Sequence, residues 1–183
     1  MKCLHRSAHP YHNIVIITTF LAIFALSHVT TAPARALSEE QRGAISQSCS
    51  SIKQSLKVLQ KADSRLRVLL GTTYQTILTS YITPLNLRLV KNNRPSTELT
   101  AIQADFSTQR DRFSRQFISY SQSIEDLLDI DCVTKPDEFY AKLDQARARR
   151  ANLAQTVVEL SDIINQHHTT VTNLYTEAQN ARD

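Results

Sequence analysis

Apolar residues recur along most of the chain with alternating steps of four and three. In the first long segment this spacing picks out Ile45, Cys49, Ile52, Leu56, Leu59, Leu66, Leu70 and Ile77. Such spacing places an apolar stripe on one helix face and is typical of coiled-coil-like packing. Ser38 and Gln41 form a capping-box pattern at its start, and Pro84 should kink or restart the helix. We therefore predict a helix over about 38–83 and then a short leucine-rich segment, 84–92.

Two further stripes follow with the same spacing. Their apolar members are Leu99, Ile102, Phe106, Phe113, Phe117, Tyr120, Ile124 and Leu127, and then Phe139, Leu143, Ala146, Leu153, Val157, Leu160, Ile164, Val171 and Leu174. Ser96 is a suitable N-cap and Pro136 a suitable first helical residue, which predicts helices over about 96–131 and 136–181. Short connections between helices favour antiparallel neighbours. The predicted fold is therefore all-α, an elongated antiparallel three-helix bundle that forms one domain over 37–183.

The two cysteines of this domain, Cys49 and Cys132, allow one intramolecular disulfide. Two buried free thiols are the alternative, which is less typical of an exported chain. When the two cysteines are set level, the three stripes stay aligned, and Leu66 falls in one layer with an apolar residue of each other helix. This agreement favours both the disulfide and the bundle.

Two charged residues interrupt the stripes at the same level, Asp63 in the first and Arg150 in the third. We expect them to meet as a structural ion pair that specifies the register of the helices. The alternative interpretation is a buried charged functional site.

The N-terminus has the three parts of an export signal. Lys2 and Arg6 supply the positive charge, and an apolar stretch follows over 14–26. This stretch is shorter than the roughly 20 residues of a membrane span, and Ala34-Arg35-Ala36 fits a signal-peptidase site. We predict a signal peptide over 1–36 and a secreted or extracytoplasmic domain without a transmembrane segment. If the signal is not cleaved, it becomes an N-terminal membrane anchor.

Removal of residues 1–36 changes the charge balance. The whole chain has 21 basic and 17 acidic residues, but the predicted mature part has 18 and 17. A near-neutral domain does not indicate a nucleic-acid partner. A basic belt nevertheless lies along the middle of the predicted bundle, formed by Arg65, Arg67, Arg110, Arg112, Arg115, Arg147 and Arg149. It is either a solvated helix surface or a surface for an anionic partner such as a cell-envelope polymer.

The leucines of the segment 84–92 form a second candidate surface. Leu85, Leu87 and Leu89 are denser than a turn requires. They are either a hydrophobic cap on the end of the bundle or an exposed docking patch.

No pattern of catalytic, metal-ligating or cofactor-binding residues stands out. The adjacent His167 and His168 point about 100° apart on a helix, whereas metal ligands favour i, i+4 spacing. The cysteines are used by the disulfide, and Gly43 and Gly71 cannot build a phosphate-binding loop. We expect no catalytic residue, no metal and no cofactor, and thus no enzymatic activity.

The run Asp63–Arg67, the run Thr83–Asn93 and the Asp131–Cys132 end together resemble uncharacterised secreted helical proteins of small-genome, surface-living bacteria of the Saccharibacteria type. The resemblance covers most of the chain after residue 36. It implies a secreted helical protein, and it transfers no functional residue, because no activity is attached to that group.

The predicted function is that of an exported, non-enzymatic interaction or structural protein at or outside the cell surface. Its partner is an unknown protein or a cell-envelope polymer. The alternatives are a holdase-type chaperone outside the cytoplasm, a binder of anionic envelope polymers, and a metal enzyme that uses the histidine pair.

Overall fold

A computed structural model describes residues 37–181 as an all-helical bundle. No strand occurs within these residues, which confirms the predicted fold class at that level. The predicted signal peptide, 1–36, lies outside the described residues. The helices are α1 (Glu39–Thr76), α2 (Thr83–Lys91), α3 (Thr97–Asp129) and α4 (Pro136–Asn180), with a π-helical turn, Ile77–Ile82, between α1 and α2.

Local hydrogen bonds define where the helices begin. Ser38 Oγ accepts from Gln41 N at 3.2 Å while Ser38 N donates to Gln41 Oε1 at 2.9 Å, which completes the capping box. Ser96 Oγ accepts from the backbone N–H of Leu99 and caps α3. The first turn of α1 is also tied to that of α4, because Arg42 Nε donates to the Asp137 carboxylate at 2.8 Å. Two helix starts therefore lie side by side.

A new helix, α2, begins at Thr83 with Pro84 in its first turn, as the predicted restart requires. Proline lacks an N–H, and its ring clashes with the carbonyl of the residue four positions earlier. The chain accommodates this by widening into a π turn, in which the N–H of Thr83 donates to the carbonyl of Leu78 five residues back. The segment 84–92 is consequently helical up to Lys91. Asn86 anchors it to α3 by donating to Leu99 O at 3.0 Å and Gln103 Oε1 at 2.7 Å.

The core lies mainly on α3 and α4, which pack against each other more extensively than any other pair of helices. All eight apolar stripe residues predicted for α3 are buried: Leu99, Ile102, Phe106, Phe113, Phe117, Tyr120, Ile124 and Leu127. Tyr74 of α1 joins them through edge-to-face contacts with the rings of Phe106 and Phe113. Such aromatic contacts add to the stability gained by burying apolar area.

The predicted disulfide between Cys49 and Cys132 is confirmed, with the two Cα atoms 5.6 Å apart. The disulfide is the first of a series of contacts that join α1 to α3 and to the residues just after α3. Farther along α1, Asp63 contacts Tyr120 and Tyr74 contacts Phe113. Residue numbers therefore rise along α1 as they fall along α3.

The predicted stripe of α1 holds only in part beyond Asp63, where Leu70 and Ile77 are half-buried against the core. Leu66 is 50% exposed rather than buried, and the buried positions are instead Tyr74, Leu78 and Ile82. These three residues follow one another in steps of four, and the packing of Tyr74 against two phenylalanine rings determines which face turns inward. As a result, the middle of α1 does not close over α4.

Candidate functional site

A groove lies between the middle of α1 and α4, with α3 as its floor. Its volume is about 390 Å³, within the range of about 300–1,000 Å³ typical of small-molecule sites. Six large apolar side chains line it, together with two alanines: Leu66, Leu70, Phe113, Phe117, Leu153 and Val157. The groove is thus largely apolar.

Small residues on α4 keep the groove open. Ala151 and Ala154 line it and are exposed, so at these two positions α4 has no large side chain that could fill the groove. Leu66 is exposed, whereas the other large apolar residues that line the groove are buried or half-buried. A concave, largely apolar surface of this kind is typical of binding sites. The layer that was predicted to be closed core is therefore the wall of a groove.

Four charged residues complete the lining: Asp63, Arg67, Arg147 and Arg150. The structure brings the predicted pair together. Arg150 donates from Nε to Asp63 Oδ2 at 3.0 Å and from Nη2 to Oδ1 at 3.2 Å. Such a two-point contact holds the guanidinium and the carboxylate in one plane. The burial is unequal, because the Asp63 side chain is 9% exposed and that of Arg150 is 50% exposed.

Tyr120 is a third member of this network that the sequence pattern did not reveal. Its hydroxyl donates to Asp63 Oδ2 at 2.6 Å, and its ring is buried in the core. A tyrosine in an apolar stripe has the same spacing as a core phenylalanine, so only the position of Asp63 on the neighbouring helix identifies its hydroxyl as a hydrogen-bond donor.

The network keeps Asp63 ionised. Burial by itself raises the pKa of Asp63, but the hydrogen bonds from Arg150 and Tyr120 and the charge of Arg150 outweigh it, so that the pKa lies below its ordinary value. The same contacts raise the pKa of Arg150, chiefly through its hydrogen bond to Asp63. Burial and then the Asp63 carboxylate raise the pKa of Tyr120. A carboxylate stabilised in this way is a poor proton acceptor, which favours a structural role.

The predicted basic belt is not one continuous surface. Of its seven arginines, only Arg67 and Arg147 line the groove. The guanidinium of Arg67 lies 5.3 Å from the centroid of the Phe117 ring, a cation–π contact. The side chain of Arg147 pairs with Asp144 at 3.2 Å, and both are largely exposed.

The other five arginines point elsewhere. Arg110 pairs with Asp111 and donates to Gln75 Oε1, Arg112 pairs with Glu159, and Arg149 donates to the carbonyl of Ser119. Arg65 and Arg115 are exposed on surfaces outside the groove. Local acceptors therefore already use much of the hydrogen-bonding capacity of the belt.

The predicted docking patch is also divided. Leu87 is 65% exposed, whereas Leu85 and Leu89 are half-buried. On a helix, residues two positions apart point about 200° apart, whereas residues four apart share a face. Because the segment is the helix α2, Leu85 and Leu89 lie on one side and Leu87 on the other.

Within residues 37–181, no group of three or more His, Cys, Asp or Glu side chains could hold a metal ion. His167 is half-buried; burial, and then the charge of His168, lowers its pKa. None of the helices in this part of the chain is both long and apolar enough to span a membrane.

No protein-family model, curated protein or solved structure matches this chain. The resemblance to Saccharibacteria-type secreted proteins stays a prediction. What the groove can bind follows from its own chemistry, which is an apolar floor rimmed by three guanidinium groups and one carboxylate.

Proposed function

We propose that this chain is an exported, non-enzymatic helical interaction protein that acts at or outside the cell surface and binds an anionic partner in the α1–α4 groove. In this proposal the domain is an antiparallel three-helix bundle, elongated and coiled-coil-like. The opposite order of the α1 and α3 contacts supports that arrangement.

The single observation that carries the proposal is the groove itself. It is a concave, largely apolar surface between α1 and α4, and three of its four charged residues are arginines. Arginine is the residue best suited to bind carboxylate or phosphate groups, because its donors form a planar fork. An apolar floor beneath guanidinium groups suits a partner that has both negative charge and apolar surface.

Export is supported by the signal pattern of residues 1–36 and by the disulfide. Disulfides persist in oxidising compartments and are rare in the cytosol. N-terminal sequencing of the protein from its native cells tests this part of the proposal. A mature N-terminus at Leu37 is expected, whereas a chain that begins at Met1 and sediments with membranes would be an anchored protein.

A non-enzymatic role is supported by the state of the reactive groups. Asp63 is held as a carboxylate by Arg150 and Tyr120, and both described cysteines are joined in the disulfide. General bases work best when their pKa lies near the operating pH, whereas that of Asp63 is lowered. The charged residues of the groove are therefore better suited to binding than to proton transfer.

Site-specific photo-crosslinking in the native cells tests the binding site. An aliphatic diazirine amino acid, no larger than leucine and so too small to fill the groove, replaces Ala154 in the groove or, as the control, Val68, which is exposed outside it. The proposal predicts a light-dependent adduct from position 154 and none from 68. It also predicts that Arg147→Glu weakens the adduct while Arg115→Glu does not. Equal adducts from both positions, or none from either, would contradict the proposal.

A holdase-type chaperone is a second candidate, because several apolar side chains of α1 are exposed in addition to the groove. They are Val58, Val68 and Leu69. Such a chaperone would suppress aggregation of an unfolded model protein at near-equimolar ratios, and this suppression would not depend on Arg147.

A further inference from the structure

The groove has a charged end and an apolar end. Contacts between α1 and α4 rise together in residue number, from Arg42 with Asp137 to Asp63 with Arg150. On α4 the lining therefore begins with Arg147 and Arg150 and continues to Val157, and on α1 it runs from Asp63 to Leu70. On α4 both charged lining residues come first, whereas on α1 Asp63 comes first and Arg67 follows Leu66. The last lining residues of the two helices, Leu70 and Val157, are apolar and form the far end of the groove.

The charge of the groove is positive. Three arginines face one carboxylate, and Asp63 engages only two of the nitrogen atoms of Arg150. Arg147 is largely exposed and pairs with an exposed aspartate. Exposed pairs of this kind contribute little stability, about 0–1 kcal/mol, so Arg147 can turn to another anion at small cost. The charged end can thus accept one anionic group.

The dimensions favour a single extended chain over a helix. The lining of α4 runs from Arg147 to Val157, ten steps along the helix or about 15 Å at 1.5 Å per residue. A helix of that length and about 10 Å in diameter would occupy roughly 1,200 Å³, more than all the empty space of about 880 Å³ between the lining residues, open solvent included. A partner helix could therefore lie across the groove but not within it, whereas an alkyl chain can be enclosed.

We propose that the groove binds one single-chain anionic amphiphile, a long-chain carboxylate. Its head group lies at Arg147 and Arg150, and its alkyl chain runs over Phe117 and Phe113 toward Leu70. This inference rests on the proposed function, because it specifies the anionic partner of the same groove. Neither a bound peptide helix nor a folded protein is required.

Calorimetric titration of the full chain with sodium dodecanoate, below its micelle concentration, tests the ligand class. Burial of each methylene is worth about 0.8 kcal/mol, or nearly fourfold in affinity when burial is complete. Because the groove is open on one side, we expect dodecanoate to bind at least tenfold more tightly than octanoate, at a single site. Dodecyltrimethylammonium has a similar chain and the opposite charge, and it should bind at least tenfold more weakly.

Two variants locate the binding. Ala154→Trp fills the groove from an exposed helix position and should abolish measurable binding of dodecanoate. Arg147→Glu reverses the charge of the head-group end and should weaken binding at least fivefold. Arg115→Glu is the matched control, with the same charge change on an exposed residue outside the groove, and should stay within twofold. Residues 1–36 are identical in every variant, so a difference in dodecanoate affinity between two variants arises from the helical domain.

The outcomes separate this inference from the function on which it rests. Dodecanoate binding that survives Ala154→Trp, or that Arg115→Glu weakens as much as Arg147→Glu, overturns the amphiphile proposal. So does the absence of binding in a chain that still forms the specific adduct from position 154. In each of these cases, a specific adduct from position 154 would leave the proposed interaction function standing, with a different anionic partner. If no specific adduct forms from position 154 in the native cells, the proposed function itself is overturned.

Discussion

Replacement of Asp63 and Arg150, singly and together, examines the network that joins three helices. In Arg150→Leu the Asp63 carboxylate keeps only the hydrogen bond from Tyr120. Breaking a fully buried ion pair costs about 3–5 kcal/mol, but half of the Arg150 side chain is exposed, and water in the groove replaces part of the lost contact. We therefore expect the free energy of unfolding to fall by about 2 kcal/mol.

Asp63→Leu should cost a similar amount for a different reason. The Tyr120 hydroxyl, whose ring is buried, then lacks its acceptor, and an unsatisfied buried group costs about 1–3 kcal/mol. Arg150 itself loses little, because water can reach its exposed half. In the double variant the stranded carboxylate is gone and only the Tyr120 hydroxyl remains unpaired, so the total loss should be about 1–2 kcal/mol. The coupling energy between the two sites is then about 2 kcal/mol.

Urea unfolding followed by far-UV circular dichroism, with the disulfide intact, measures these differences. The dependence of the unfolding free energy on urea should be equal among the variants, because the exposed surface changes little. Addition of Tyr120→Phe to the double variant should recover stability by removing the unpaired hydroxyl. If the two single losses simply add in the double variant, the three side chains do not act as one network and the reasoning is refuted.

Three further predictions concern covalent and titratable groups. Cys49→Ala with Cys132→Ala should lower the unfolding free energy by at most about 4–5 kcal/mol, because the disulfide closes a loop of 83 residues; equal urea midpoints for this variant and the oxidised parent would contradict this. The lowered pKa of His167 means that the unfolded chain takes up a proton below about pH 6.5 more readily than the folded one. Stability should therefore fall as the pH drops from 7 to 5, and this fall should be smallest in His167→Gln, whereas His168→Gln, which removes only the smaller cause of the lowered pKa, should reduce it less. The contribution of Asp63, whose pKa is also lowered, should be present above about pH 4 and disappear as the pH falls through its folded pKa. The stability gap between Asp63→Asn and the parent should thus narrow in acid urea titrations, and a constant gap down to pH 2 would argue against it.

The helical class, the disulfide and the packing of α3 could be predicted from sequence for identifiable reasons. The α3 stripe has an apolar side chain at nearly every step. The helix therefore has one apolar face, and no second face competes with it for a place in the core. Cys49 and Cys132 are the only cysteines after residue 36, which leaves a single internal pairing. In these cases local pattern and tertiary packing agree.

The groove could not be predicted, because the pattern on α1 is ambiguous beyond Asp63. Leu66, Leu69, Leu70 and Tyr74 offer two overlapping apolar faces, and periodicity does not choose between them. The choice is made by the packing of Tyr74 against α3. The π turn was missed for a related reason, since a proline marks a disturbed helix but does not say whether the chain will break or widen. A sequence signal for the groove does exist in Ala151 and Ala154, small residues opposite a leucine.

The bond between Cys49 and Cys132 also makes the chain partly a ring. Residues 49–132 form a closed covalent circuit that contains α2, the exposed turn at 92–95 and all of α3. One peptide bond cut inside this circuit, for example beside Asn93, leaves both fragments joined through sulfur and held together by the same core. A protease that nicks the turn would therefore yield a product of unchanged mass, apart from one added water, until a reductant is supplied. The two ends outside the circuit, before Cys49 and after Cys132, have no such protection, and a cut there removes its fragment from the covalent structure at once.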